Sequence, residues 1–539
     1  MVTVDFFADS RLTAYSTRGN VCLILLRRQK LAATAQPIHT PFEPPPPAPA
    51  DPHLRRNLKA RHLNMIAIGG AIGTGLFVAS GGTITGAGPG GALLAYGAIG
   101  VMVFFLMQSL GEMATYCPSS GAFEVYATRY VSKSFGFAQG WNYWYNWAIT
   151  VAAELVAATI VMQYWFPPDQ VPPWIWSGVF LLILFTLNAF SVRGFGESEF
   201  WFAAIKVVTV LIFLALGVLM IVGILGGESP GLTNWQIGEA PFVNGFWGIM
   251  GVFMIAGFSF QGTEMIGIAA GETEDPEKNV PRATRAVFFR ILLFYIGAIL
   301  VIAFLIPYTD PSLLQGASAD DSTAQGFTEA VTKSPFTLLF ERAGIAGAAG
   351  VMNAVILTSI LSAGNSGVYV ATRMLYSMAK ERKAPRLFGR VTSHGVPLAA
   401  LAATCLIGAA CFATSRVGSG VVYSWLVNAS GLAGFITWMG IAWSHFCFRR
   451  AYKAQGKDPK DLPYRALLYP AGPLIALAMC AIVVVGQSLD VIAGEFSVIK
   501  FIGIYIGLFF FLAIWGGHKL VTRSRAVDPM NADLSRTAQ

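Results

Sequence analysis

About a dozen times this chain returns to an apolar run long enough to cross a hydrocarbon core ~30 Å thick, and no other feature constrains its fold as strongly. Runs of that length are helical spans, too long and too uniform for the short alternating strands of a membrane barrel. They centre on residues 66–82, 91–114, 138–166, 174–190, 200–225, 242–270, 287–307, 344–379, 397–414, 421–447, 470–489 and 501–520. The predicted fold is an all-α integral membrane protein of about twelve transmembrane helices. With 55% hydrophobic and 12% charged residues among 539, an ordinary soluble domain is excluded. The formal charge of +8 is not a nucleic-acid footprint, because the basic residues fall in alternate loops. Residues 129–133, 278–290, 380–390, 449–465 and the tail from 519 are basic and fall on the side of the N-terminus. An even number of spans returns the chain to that side, so both termini are expected in the cytoplasm.

The ends differ in character from the middle. Residues 1–56 hold a short apolar patch and then PFEPPPPAPADP, a proline density expected of a disordered, extended arm. The transporter domain is expected over 57–525 and a flexible cytoplasmic tail over 526–539. The six cysteines, Cys22, Cys117, Cys405, Cys411, Cys447 and Cys480, lack paired or metal-ligand spacing, so free thiols and no zinc are expected.

Two spans are interrupted. IAIGGAIGTGLFVASGG carries Gly73, Thr74 and Gly75 at its middle, where a helix should come apart. Unwound backbone is tolerated inside a bilayer only against protein or a watery cavity, so this stretch is read as a binding site. The sixth span, FMIAGFSFQGTEMIGIAAG, holds Gly257, Ser259, Gln261, Gly262, Thr263 and Glu264 within one short stretch. Discontinuous helices at matching places of two halves mark transporters built from inverted repeats, with spans one and six opening two five-helix units and two spans added.

LNMIAIGGAIGTGLFVASGG, GWNYWYNWAIT (140–150), SVRGFGESEFWF (191–202), GFSFQGTEMIGIAAGETEDP (257–276), MNAVILTSILSAGNSGVYVATRMLY (352–376) and DLPYR (461–465) together carry a resemblance. The chain resembles the amino acid/polyamine/organocation permeases in their amino acid transporter branch, and within it the lysine-specific permeases of bacteria. The resemblance spans about residues 54–520 and implies a LeuT-like core of 5+5 helices with helices 1 and 6 broken. It also implies a place in the bacterial inner membrane. The proline-rich arm departs from the family pattern.

An α-amino acid presents a carboxylate and an ammonium, and a broken helix offers complementary ends to both. Amides at Gly73, Thr74 and Gly75 are expected to hold the carboxylate. Carbonyls of an unwound stretch at Phe258, Ser259 and Phe260 would accept the ammonium, and the resemblance implies the same division. Close packing by small residues is the competing reading of the first stretch. For a cationic side chain, Glu154 is the leading partner, with Asn146 and Thr150 on the same helix at four-residue spacing. Glu154 would contact the substrate ammonium or couple protons, and a structural ion pair is its alternative. Lys206 suits a proton carrier, since buried ammonium groups shift readily, and proton-coupled members that the chain resembles hold a lysine on this span. A snorkelling role near the membrane face is the other reading. The resemblance implies a gating role for Glu264, with capping of local backbone the alternative, and Phe258 and Phe260 would close over the ligand or simply pack. Ser362, Asn365 and Ser366 on the eighth span, and Asn428 and Ser430 on the tenth, are small polar groups that either meet the substrate side chain or join helices. Glu112, Glu272, Glu274, Asp275 and Arg282 read as caps and ion pairs at the cytoplasmic ends.

No Walker motif, catalytic triad or dinucleotide fingerprint stands in a suitable context, so an enzyme is not expected and no cofactor is called for. The expected function is import of L-lysine with protons by alternating access, the partners being lysine, protons and the lipid bilayer. Two alternatives stand beside it: a permease for arginine or an aromatic amino acid, and a lysine-binding sensor of weak transport with a regulatory membrane partner.

Overall fold

The computed structural model describes residues 61, 63, 65, 72–190, 192–314, 334–344, 347–414, 419–487 and 498–536. The proline-rich arm, the first half of the first apolar run (66–71) and the last three residues lie outside the described residues. Every regular element among the described residues is helical. Among the described residues, eight helical segments are long and apolar enough to cross a membrane, and two shorter apolar helices accompany them.

A π turn over Gly75–Ala79 leads into α1, Ser80–Tyr116. This long helix is two rods joined at Gly88 (φ 74°, ψ 174°), a conformation open to glycine, with Pro89 directly after it. The first rod continues the broken span and the second is the expected 91–114 run. After α2 (Ala122–Tyr130), Ser132 caps α3 (Lys133–Met162) by accepting from Phe135 N at 3.1 Å. Then come α4 (Pro173–Phe190) and α5 (Val192–Ile221). The sixth span is divided into α6 (Gly245–Phe260) and a short α7 (Met265–Ala269). A helix α8 (Pro276–Arg290) runs through a π turn, Ile291–Ile296, into α9 (Gly297–Leu305). After a single turn at Pro311–Leu314, the longer helices are α10 (Pro335–Arg342), α11 (Ala348–Lys380), α12 (Leu398–Gly408), α13 (Ser419–Ala454), α14 (Ala471–Gly486) and α15 (Val498–Thr522).

The core is built on α3, which packs against α11 and α13 along most of its length and also touches α2, α4, α12 and α15. The small residues of α3, Ala148, Ala152, Ala153, Ala157 and Ala158, are fully enclosed and let its neighbours come close. Large apolar side chains instead face outward on peripheral helices, Leu182 on α4, Trp201 and Val208 on α5, and Phe289 at the end of α8. An outward apolar coat of this kind is what a bilayer solvates. The chain is a multi-pass membrane protein.

One expectation is corrected here. The basic stretch 278–290, expected as a loop, is largely the helix α8, and Arg290 at its end is buried. Residues 527–536 lie along one end of the bundle. Val527 N donates to Val131 O at 2.8 Å, Tyr116 Oη to Leu534 O at 2.7 Å, and Gln455 Nε2 to Ala532 O at 2.8 Å. The backbone carbonyls of the tail satisfy buried side-chain donors, which is why it holds.

Candidate functional site

The two interrupted spans meet at Gly75 and Ser259. A Cβ at Gly75 would lie 2.5 Å from Ser259 Cα, so only glycine allows the approach. Ser259 is itself held there: its Oγ donates to Ile255 O at 3.0 Å and lies 2.9 Å from the Tyr96 hydroxyl of α1.

Beside this contact stands Glu154 of α3. Thr74 Oγ1 donates to Glu154 Oε1 at 3.2 Å, and a Cβ at Gly73 would be 3.7 Å from the same oxygen. Glu154 is 5% exposed, and its other oxygen, Oε2, is buried with no hydrogen-bond partner among the described residues. A carboxylate oxygen left this way costs on the order of a few kcal/mol unless a cation or a donor arrives. Tyr423 of α13 reaches the same corner, interacting with both Thr74 and Glu154.

The other expected residues sort into separate groups. Thr150 donates to its own helix at Asn146 O (2.7 Å), and Asn146 Oδ1 is buried without a partner among the described residues. Four-residue spacing advances about 40° per step around a helix, so Asn146 and Glu154 do not point the same way. Ser362 and Asn365 of α11 do not reach Glu154. Ser362 Oγ donates to Glu199 Oε1 of α5 at 2.7 Å, while Asn365 Nδ2 approaches Oε2 at 3.5 Å and its Oδ1 accepts from Asn188 of α4 at 2.8 Å. Lys206, fully buried on α5, interacts electrostatically with both Glu199 and Glu154.

The second break lies slightly later than expected. Phe258, Ser259 and Phe260 are still helical, and the chain unwinds over residues 261–264. Phe258 O accepts from Gln261 N at 3.1 Å, and Phe260 O accepts from Thr263 Oγ1 at 2.6 Å. The Phe260 ring is stacked on Tyr295 at 4.1 Å, and so belongs to a packed aromatic cluster. Glu264 draws the break together: it accepts from Gly262 N (3.1 Å), from Trp438 Nε1 of α13 (3.2 Å) and from Tyr143 Oη of α3 (3.5 Å). Of the tenth-span pair, Ser430 Oγ donates to Val427 O at 3.2 Å, and the Asn428 side chain lies outside the described residues.

At the end where the tail docks, buried carboxylates hold bases. Glu112 accepts from Arg449 Nε (2.5 Å) and Nη2 (2.8 Å), from Ala466 N (2.6 Å) and lies 3.0 Å from His445 Nε2. Glu272 accepts from Arg373 Nε at 2.8 Å, with the guanidinium over the Tyr369 ring at 4.4 Å. Lys383 pairs with Glu124.

Glu199, Tyr423 and Asn188 did not emerge from the sequence as site residues. The Glu199 signal, an acid at the mouth of an apolar run, is the same as that of any solvated helix end.

Comparison with known proteins agrees with this architecture. The family model for amino acid permeases matches residues 62–528. The lysine-specific permease LysP of Escherichia coli is 58% identical over 474 residues, 87% of this chain and 94% of the relative. LysP of Lactococcus lactis is 50% identical over 90% of this chain and 93% of its own length. The histidine permease HisP of the same organism is 47% identical over 90% and 98%. A chain so covered, with two interrupted helices meeting over a buried carboxylate, belongs to the amino acid permease family.

Proposed function

We propose that this permease imports L-lysine together with protons, by alternating access around a site at the two helix breaks. One observation carries the reading: Glu154 meets Thr74 and stands against Gly73 with Oε1, and its other oxygen, Oε2, is buried without a hydrogen-bond partner among the described residues. Backbone amides at Gly73, Thr74 and Gly75 would take the substrate carboxylate, which every amino acid shares. Glu154 would take the side-chain ammonium that distinguishes lysine, while Asn146, two turns earlier on α3, offers a separate unpartnered amide oxygen. The two relatives named as lysine-specific permeases favour the same substrate.

The α-ammonium would be met at the second break, by carbonyls near Phe258 and Ser259, and Glu264 would transmit occupancy from the break to α3 and α13. Lys206, fully buried, interacts electrostatically with carboxylates on α3 and α5 and would carry a charge change that alters how α5 meets its neighbours. Twelve spans with a LeuT-like 5+5 inverted repeat would place spans one and six in corresponding roles. The end bearing Arg129, Lys383, Arg449 and the docked tail would face the cytoplasm of a bacterial inner membrane, with both termini there.

The test is uptake in proteoliposomes. An imposed inward pH gradient should accumulate labelled lysine without sodium, and unlabelled lysine should compete better than arginine, histidine or an aromatic amino acid. Accumulation that requires sodium, or stronger competition by another amino acid, overturns that part of the reading. Binding without flux would favour a sensor.

A further inference from the structure

We propose that Tyr96 is a positioning residue for the transported amino acid: its hydroxyl fixes Ser259 where it meets Gly75, and so sets the spacing of the two helix breaks that hold the substrate's carboxylate and α-ammonium. The inference rests on the proposed site at those breaks. It adds a residue of the second span that no substrate needs to touch.

Tyr96 lies on the second rod of α1, beyond the bend at Gly88, and is fully buried. Its hydroxyl is 2.9 Å from Ser259 Oγ. The direction of that bond follows from the hydrogen count. A serine hydroxyl has one proton, and Ser259 gives it to Ile255 O, four residues back in its own helix, at 3.0 Å. Tyr96 is therefore the donor and Ser259 Oγ the acceptor. Ser259 also meets the first break, where a Cβ at Gly75 would lie 2.5 Å from its Cα and 2.9 Å from its Oγ. One serine thus joins span two, by a hydrogen bond, to span one, by backbone contact. It does so in the last turn of α6, just before the chain unwinds over 261–264.

The ring of Tyr96 is held independently of its hydroxyl. It packs at 5.9 Å on Phe260, which is stacked in turn on Tyr295 at 4.1 Å. About one turn further along the rod, Gly100 lets α1 close on Ile291, to which a Cβ there would approach within 2.8 Å. A phenylalanine at position 96 therefore keeps the packing and removes only the bond.

Sliding or turning the end of α6 past Gly75 breaks the bond to Tyr96, so the hydroxyl favours one separation of the breaks over its neighbours. That separation governs the groups all amino acids share. Amides at Gly73 to Gly75 belong to one break and carbonyls near Phe258 and Ser259 to the other, and a zwitterion bridging them binds best when both are already in place. Glu154 stands on a third helix, α3, and would read the side chain instead. Loss of the Tyr96 hydroxyl should accordingly weaken every amino acid alike, whereas loss of the Glu154 charge should weaken lysine alone.

The experiment is equilibrium binding of labelled lysine to the purified full-length protein in nanodiscs, with norleucine, which lacks the side-chain ammonium, as competitor. Misfolding lowers the number of sites and leaves the affinities of the remaining sites unchanged. In Tyr96→Phe both affinities should fall by about fivefold while their ratio stays within about twofold of the parent. Ser259→Ala should do the same, and the double variant should be no more than about twofold weaker than either single variant, because both remove one bond. Parental affinities in Tyr96→Phe, a loss confined to lysine, or losses that multiply in the double variant overturn the proposal. If Tyr96→Phe does not survive purification, the double variant decides alone: a loss shared by both ligands supports the proposal, and parental affinities or a loss confined to lysine overturn it. Glu154→Gln in the same assay separates the two readings. When it loses lysine affinity and Tyr96→Phe loses none, only the role of Tyr96 falls; when both are parental, the site at the breaks falls with it.

Discussion

Gly75 occupies the point where two interrupted helices touch, and a single methyl group there would meet Ser259 backbone at 2.5 Å. Backbone cannot swing away as a side-chain tip can, so Gly75→Ala should cost about 1–3 kcal/mol in overpacking. We expect a lower thermal unfolding temperature and nearly complete loss of lysine uptake; an unaffected uptake rate would mean that the two breaks need not touch. Lys206 is fully buried and interacts electrostatically with charges on α3, α5 and α8. Lys206→Ala should retain lysine binding yet lose accumulation driven by a pH gradient alone, and accumulation at the parental level would remove it from coupling. The residues that the sequence marked most clearly, Gly73 to Gly75 and Glu154, are those whose type is costly in a membrane wherever it occurs. Glu199 was hidden for the opposite reason. The apolar run was expected to begin at residue 200, which left Glu199 at its edge, but α5 begins at Val192, so Glu199 stands two turns inside and is fully buried.

At the scale of elements, the second break illustrates how far sequence can locate a discontinuity. The glycines and polar residues of 257–264 foretold it, yet the helix persists through Phe260 because α6 still has apolar walls to pack on, and it yields only at Gln261 and Gly262. Glu264 then ties the loosened segment to α3 and α13. Glu264→Gln replaces an acceptor of three donors with an amide that accepts on one side only. If Glu264 has the proposed gating role, the expected result is a Vmax lowered by about fivefold with KM within about twofold. A change confined to KM would place Glu264 in substrate binding. Arg373, on α11, was not singled out in the sequence because nothing there names its partner; the fold brings Glu272 to 2.8 Å. Arg373→Ala leaves a buried carboxylate without its base, and should destabilise the protein by about 3–5 kcal/mol in thermal or denaturant unfolding.

For the whole molecule, the sequence made the class of fold legible through the length of its apolar runs, and the comparisons place the chain among amino acid permeases. The docking of the tail was not legible, since residues 526–536 are polar and short, and their partners Tyr116, Arg129, Val131 and Gln455 are far away in the chain. Arg536 also pairs with Glu277 at 2.5 Å, bridging the tail to α8. Truncation after residue 525 should therefore lower the unfolding temperature by a few degrees, more at low salt than at high salt, because part of the lost anchorage is an exposed ion pair. Glu154, beside the first helix break and with its second oxygen buried and unpartnered among the described residues, is the proposed partner of the substrate side-chain ammonium. Equilibrium binding of labelled lysine to purified parent and Glu154→Gln proteins tests this most directly. Lysine affinity should fall by about tenfold or more in the variant while norleucine binds no worse, and equal lysine affinity in the two proteins would contradict the account.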